Sequence, residues 1–173
     1  MGQYYLAVFL SDFEMEYIRA WMEHNRGAMK LTEHSYLQNK YVLAVEHQLS
    51  KEGLMYRAKL VWAGDYADEE PGHTKNLYHI AQDSPSKRMM TPAPEGHSYR
   101  YIVNHTLNQY VDKQHLVGHF HPLPLLTADG NGRGGGDFRG DGEDLVGMWR
   151  GHSISMEHEP PADYSELLCH FEE

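Results

Sequence analysis

Residues 3–10, QYYLAVFL, are β-rich and nearly all apolar, the pattern of a buried strand. In FEMEYIRAWMEH, residues 13–24, Ile18, Trp21 and Met22 recur at helical spacing behind Ser11 or Asp12 as a cap, which predicts a helix. RGAMKLTEHSYLQN turns at Gly27 and alternates briefly around Met29, Leu31 and His34. NKYVLAVEHQLSKEG predicts a second helix with Val42, Val45 and Leu49 inward and Gly53 at its end. YRAKLVWAG, residues 56–64, alternates as a strand, and GDYADEEPG stops it.

Residues 69–96 are rich in Pro, Ser, Asp and Lys around one apolar island, NLYHIA, and read as a long surface excursion. YRYIVNHTLNQYVDK, residues 99–113, predicts a hairpin with its tip near Thr106 to Asn108. VGMWRG and HSISME predict another, turning at Gly151, and the tail ADYSELLCHF fits a short helix or a last strand equally. Two early helices set among many short strands give an α+β fold. The expected architecture is a single domain over residues 1–173, with a mainly antiparallel sheet, two helices in the N-terminal half and a glycine-rich loop over 129–144.

TADGNGRGGGDFRG, residues 127–140, has six glycines among two arginines and two aspartates, directly after the proline-spaced HPLPLL. Glycine at that density costs chain entropy and returns little apolar surface, so either the loop is mobile or its backbone comes close to something. As a calcium loop it begins well at Asp129, Asn131 and Gly134. It then fails, because Arg133 and Gly140 stand where ligands belong. Gly130, Gly132 and Gly135 spell a dinucleotide fingerprint, but no helix follows. What remains is a run of backbone N–H groups, Gly134, Gly135 and Gly136, that forms an anion nest with Arg133 and Arg139 for charge. A plain mobile loop with solubilising side chains competes with it.

The chain of 173 residues carries a formal charge of −10, which argues against nonspecific nucleic-acid binding. No apolar run reaches the ~20 residues of a membrane span, and the N-terminus lacks the marks of a signal peptide or a myristoylation site. With Cys169 the single cysteine, no internal disulfide forms. A cytoplasmic location is expected.

Thirteen histidines are unusual. His119 and His121 stand at i and i+2 in GHFHP and share a strand face, yet no complete metal signature accompanies them, so neither metal nor cofactor is expected. VWAGDYADEE sets Trp62, Asp65 and Tyr66 at a strand end, where aromatic faces and a carboxylate suit a nucleobase and a ribose. KLTEHS adds His34 beside Lys30, Glu33 and Ser35. The neighbouring Cys169 and His170 point to opposite faces of a strand and make no nucleophile pair.

The pieces MGQYY, KLTEHS, WAGDYAD, YIVNHT and HPLPLLTADGNGRGGGDF span most of the chain. In them the chain resembles a group of short, uncharacterised proteins from bacteria and their phages. The resemblance implies an intracellular, phage-encoded protein and carries no chemistry.

The favoured expectation is a binding module for a small anionic, nucleotide-like ligand, of the kind a phage uses to sequester a host immune signal. Arg133, Gly134, Gly135, Gly136 and Arg139 would hold phosphate, Trp62 or Tyr66 would stack, and Asp65, His34 and His121 would orient the rest. The alternative is a hydrolase of a phosphoester or glycosidic bond, with His105 or His121 as acid or base beside Asp65 or Asp137. A third is an acidic protein-interaction module. Self-association is left open.

Overall fold

β1 (Tyr4–Leu10) is the axis of the structure, a computed structural model that describes residues 2–12, 17–24, 27, 29–89 and 93–173. Five consecutive residues of β1 are buried, so both of its faces are covered. Tyr5, Ala7 and Phe9 face one hydrophobic cluster, whereas Leu6 and Val8 face another. This is the two-residue alternation of a strand, with apolar residues on both sides.

The next strand is β2 (Ile18–Met22), antiparallel to β1 through Val8↔Trp21 and Phe9↔Ala20. The sequence predicts a helix there, and the structure corrects that over residues 18–22; residues 13–16 of the expected helix lie outside the described residues. The spacing of Ile18, Trp21 and Met22 imitates a helix because the pairing register slips between Phe9 and Leu10. The irregularity puts Ile18 and Trp21 in one cluster, and Ala20 and Met22 in the other.

β3 (Met29–Lys30) pairs with the start of β1 and runs into the single turn of α1 (Leu31–His34). α2 (Lys40–Gln48) follows, its first turn capped by the Asn39 side chain, which accepts from Tyr41 N at 2.9 Å and Val42 N at 3.2 Å. β4 (Lys59–Gly64) pairs antiparallel with β1 along its length and splits likewise, Leu60 and Trp62 to one side, Val61 and Ala63 to the other.

The stretch 69–96 supplies α3 (Leu77–Gln82) and β5 (Arg88–Met89), the latter parallel to β2. NLYHIA is thus a helix whose Leu77, Tyr78 and Ala81 cover the second sheet face. β6 (Tyr101–Asn104) and β7 (Gln109–Asp112) form the expected hairpin; at its tip Asn104 Oδ1 accepts from Thr106 N and Leu107 N, each at 2.9 Å.

α4 (Pro122–Thr127) is the HPLPLL segment, with Leu123, Leu125 and Leu126 fully buried on the first face beside Val42, Val45 and Leu49 of the α2 segment. Each such side chain contributes about 1.5–3 kcal/mol through burial. β8 (Ala128–Asp129) lies parallel to β4, β9 (His152–Glu157) bridges β4 and β6, and β10 (Ser165–Glu166) closes on β7. The expected hairpin partner before Gly151 is instead a run of turns, because Gly147 N and Trp149 N bond back to Leu125 O and Leu126 O. The sheet order is β10-β7-β6-β9-β4-β1-β2-β5, mostly antiparallel, with β3 and β8 off this path. The fold is therefore α+β in one domain, with helices on both faces of one sheet. No helix among the described residues is long and apolar enough to cross a membrane.

Candidate functional site

β9 carries Ser155 and Glu157 at i and i+2, on one face of the strand. β6 pairs with it through Val103↔Ser155 and then delivers His105, whose backbone N–H is bound by Ser153 O at 2.8 Å. The end of α2 is drawn to the same place by Met156 N donating to Leu49 O at 3.2 Å. These elements and the segment carrying Tyr164 enclose a cleft of roughly 630 Å³. Tyr56, Tyr99, Tyr164, His105, Glu157, Lys51 and Arg57 are among its walls.

A hydrogen-bond chain crosses the cleft wall. Ser155 Oγ donates to Glu157 Oε2 at 2.6 Å, and Tyr56 Oη donates to the same oxygen at 2.9 Å. Ser155 Oγ therefore turns a lone pair to His105 Nε2, 2.7 Å away, and Nε2 carries the imidazole proton. The other ring nitrogen, Nδ1, accepts from the Tyr164 hydroxyl at 3.1 Å. Burial holds the His105 pKa below the ordinary value, assisted by the positive charge of Arg57 and opposed by Glu157, so the ring is neutral at neutral pH. Ser155 itself is fully buried and its proton points to a carboxylate, so it is a relay and not an exposed nucleophile.

Arg57, on the turn into β4, has φ +62°, the left-handed conformation that a residue other than glycine rarely holds. Ser153 Oγ donates to its carbonyl at 2.5 Å and fixes that geometry. Tyr99 Oη donates to Ser50 Oγ at 3.0 Å, and burial raises the pKa of the phenol.

Of the residues singled out from the sequence, His105 alone lines this cleft. Trp62 is fully buried and donates to His34, also fully buried, so neither ring offers a face to a ligand. His121 is fully buried at the start of α4, where Nδ1 accepts from Leu123 N at 3.1 Å and Nε2 meets Glu46 Oε1. Asp65 accepts from Tyr4 N at 2.9 Å at the edge of β1, and Tyr66 beside it is exposed.

Asp137 is buried; it accepts from Tyr5 Oη at 2.8 Å and Gly134 N at 3.1 Å, and burial raises its pKa against those two bonds. The fully buried Gln3 amide, oriented to satisfy both ends, donates to Asp137 Oδ2 at 3.0 Å and Asn131 Oδ1 at 3.1 Å. A Cβ on Gly134 would stand 2.2 Å from Gln3 Cβ, and one on Gly130 2.2 Å from Tyr5 Oη. Here the glycine backbone comes close to β1. Gly135 forms a bridge to Gly2, Gly136 has φ +87° against Lys30, Arg139 donates to Gly132 O, and Arg133 is exposed.

Ser155 and Glu157 had one legible signal, the alternation of HSISME. Tyr56, Tyr99 and Tyr164 had none, because they come from three separate segments. Compared with protein-family models, curated proteins and solved structures, the chain matches none.

Proposed function

We propose that this protein binds a small, hydroxyl-bearing phosphate ester, nucleotide-like in character, in the cleft between β9, β6 and the end of α2. One observation carries the reading: three tyrosines, a neutral histidine and two exposed cations, Lys51 and Arg57, converge on one concave site. The rings of Tyr56 and Tyr164 offer flat faces to a ring-containing ligand, and their hydroxyl oxygens are acceptors for its donors. Glu157 is available to ligand hydroxyls as an acceptor, and Arg57 gives phosphate a charge-assisted, bidentate partner.

The test is a calorimetric titration of nucleoside monophosphates, the matching nucleosides and sugar phosphates. Phosphate-bearing ligands are expected to bind, with Arg57→Ala weakening them roughly tenfold or more, since a charged hydrogen bond contributes about 1.5–3 kcal/mol. Binding that ignores Arg57→Ala and is lost on Arg133→Ala would move the site to the glycine loop.

A second reading, hydrolysis of such an ester, is favoured by the His105–Ser155–Glu157 chain. A neutral imidazole backed through a hydroxyl by a carboxylate is suited to accept a proton in the transition state. The carboxylate is Glu157, in place of the Asp65 or Asp137 expected from the sequence. On this reading His105→Gln abolishes turnover of a bound ester and leaves its affinity within a few-fold. Slow or absent turnover by wild type leaves binding alone.

A further inference from the structure

We propose that His47, Glu52 and His97 form a binding site for a divalent transition metal ion of the zinc class, beside the cleft. The inference stands on their geometry and does not depend on the ligand proposed above.

One ligand atom from each of the three lies within 4.8 Å of the other two. His97 Nδ1 is 2.9 Å from a carboxylate oxygen of Glu52. The two imidazoles meet edge to face, ring centres 5.4 Å apart at 81°. Both turn Nδ1 to the same phenol oxygen, that of Tyr99, at 3.4 Å for His47 and 3.2 Å for His97. Tyr99 has already given its proton to Ser50, so it shows these nitrogens only lone pairs. Two imidazole nitrogens and a carboxylate oxygen thus converge; with a proton on Nδ1 the rings donate to Tyr99 and Glu52, and with Nδ1 bare they turn lone pairs to the same point. A divalent cation takes these three atoms as ligands once the ring protons sit on the other nitrogens, and the phenol oxygen stays outside the ligand set. Among the described residues, the ion pair of Glu52 is with His97 alone, with no Lys or Arg in salt-bridge reach.

The scaffold holds the ligands in place. His47 is in the last turn of α2, and the chain then doubles back through Ser50 Oγ donating to His47 O at 2.6 Å and Gly53 N to Ser50 O at 3.0 Å. A Cβ on Gly53 would stand 2.3 Å from His47 O, so this tight turn, which sets Glu52 near His47, requires glycine. The side chains of His97 and Glu52 are 35% and 57% exposed, which leaves an entry path for an ion.

Two imidazoles with one carboxylate select zinc, cobalt or nickel over magnesium and calcium, which prefer oxygen throughout. Three protein ligands leave a coordination position open, as in catalytic and not in structural sites. Glu52 and Tyr99 also line the cleft, so that position lies next to it. Two other carboxylate–histidine groups lack these features. Asp112 is held by Arg100 through both oxygens, at 2.9 and 2.8 Å, and Asp141, His170 and Glu172 are all exposed.

The experiment strips the full-length protein with EDTA, then titrates it with zinc and with cobalt. One ion per chain is expected, with cobalt giving a visible d–d band distinct from that of the hydrated ion. Glu52→Gln and His97→Ala should each weaken binding at least about tenfold, since losing even an outer partner of a ligand costs that much. His115→Ala and His170→Ala should change nothing. Melting curves verify that the variants are folded, and the cobalt spectrum of wild type reads the site without any variant. Absence of stoichiometric binding, a spectrum of hydrated cobalt, or binding that survives both Glu52→Gln and His97→Ala overturns the proposal.

Discussion

The indole N–H of Trp62 donates to Nε2 of His34 at 2.7 Å, with both side chains fully buried. This bond fixes the imidazole as the Nδ1–H tautomer, and Nδ1 donates in turn to Lys30 O at 2.6 Å. The Lys30 and His34 of KLTEHS are thereby tied to the central sheet through β4. Replacing His34 with leucine keeps most of the volume and leaves the Trp62 N–H without a partner. A loss of about 1–3 kcal/mol is expected in urea unfolding. A near-neutral result would mean that a buried water or a shifted side chain accepts the indole proton.

Acid should destabilise the fold through the same cluster. His24 lies stacked on Tyr41, ring centres 3.6 Å apart, and its Nε2 donates to Tyr5 O at 3.0 Å. Burial lowers the His24 pKa from 6.5 to about 4, partly offset by that bond. Burial and the neighbouring His24 lower that of His34 to about 3. Between those values and 6.5 the unfolded chain binds more protons than the folded one, so stability rises with pH across that window. The contribution is complete above pH 6.5 and is lost as pH falls toward 4 and then 3. Unfolding curves at pH 7.5, 5.5 and 4.5 should show the decline, and His24→Phe, which keeps a stacked ring, should reduce its slope. An unchanged slope in that variant would assign the acid sensitivity elsewhere.

Glu46 is almost fully buried between His121 and Lys113, whose Nζ donates to both of its carboxylate oxygens at 3.0 Å. His121 Nδ1 accepts a backbone proton, so the ring holds a single proton, on Nε2, and is neutral. Burial lowers its pKa accordingly, against the pull of Glu46. The ion pair is therefore Glu46 with Lys113, and His121 is the hydrogen-bond donor to it. Burial raises the Glu46 pKa, but the two partners outweigh that and leave it lowered. Glu46→Ala strands a partly buried cation and a fully buried imidazole, and a loss of about 3 kcal/mol is expected, the lower end for a broken buried pair. Measured stability within 1 kcal/mol of wild type would show that Lys113 swings out to water at little cost.

Elements whose pattern is set locally were legible. β1, α2, β4 and the β6–β7 hairpin follow from an apolar run, the inward spacing of Val42, Val45 and Leu49, apolar alternation and a polar tip. β2 was not, because Ile18, Trp21 and Met22 fit a helix until β1 pairs with them across an irregular register. α3 was hidden inside a polar stretch, although the NLYHIA island already marked where it packs. The cleft was the least legible, since His105, Ser155, Tyr56 and Tyr164 are brought together only by the β6–β9 pairing and the return of the tail. The polar partners of Trp62 and His121 lie 28 and 75 residues away in sequence, which is why both looked free for a ligand.

The glycine run yields the last prediction. Gln3 and Tyr5 at the start of β1 reach Asp137, and Gly134 packs so closely on Gln3 that a methyl group would overlap it. If the run is held in this way, its glycines contribute through close approach and its exposed arginine contributes little to the fold. Gly134→Ala should then cost about 1–3 kcal/mol, as overpacking does, while Arg133→Ala stays within about 0.5 kcal/mol, as an exposed side chain does. Gln3→Gly removes the Cβ that Gly134 approaches most closely, so Gly134→Ala made in that background should cost less than in wild type. Stability of the five chains, wild type included, measured by urea unfolding, decides it. Additive losses would mean that Gly134 and Gln3 act separately. A silent Gly134→Ala would mean that the loop does not rest on β1 in solution, and its backbone N–H groups would then be free to meet an anion.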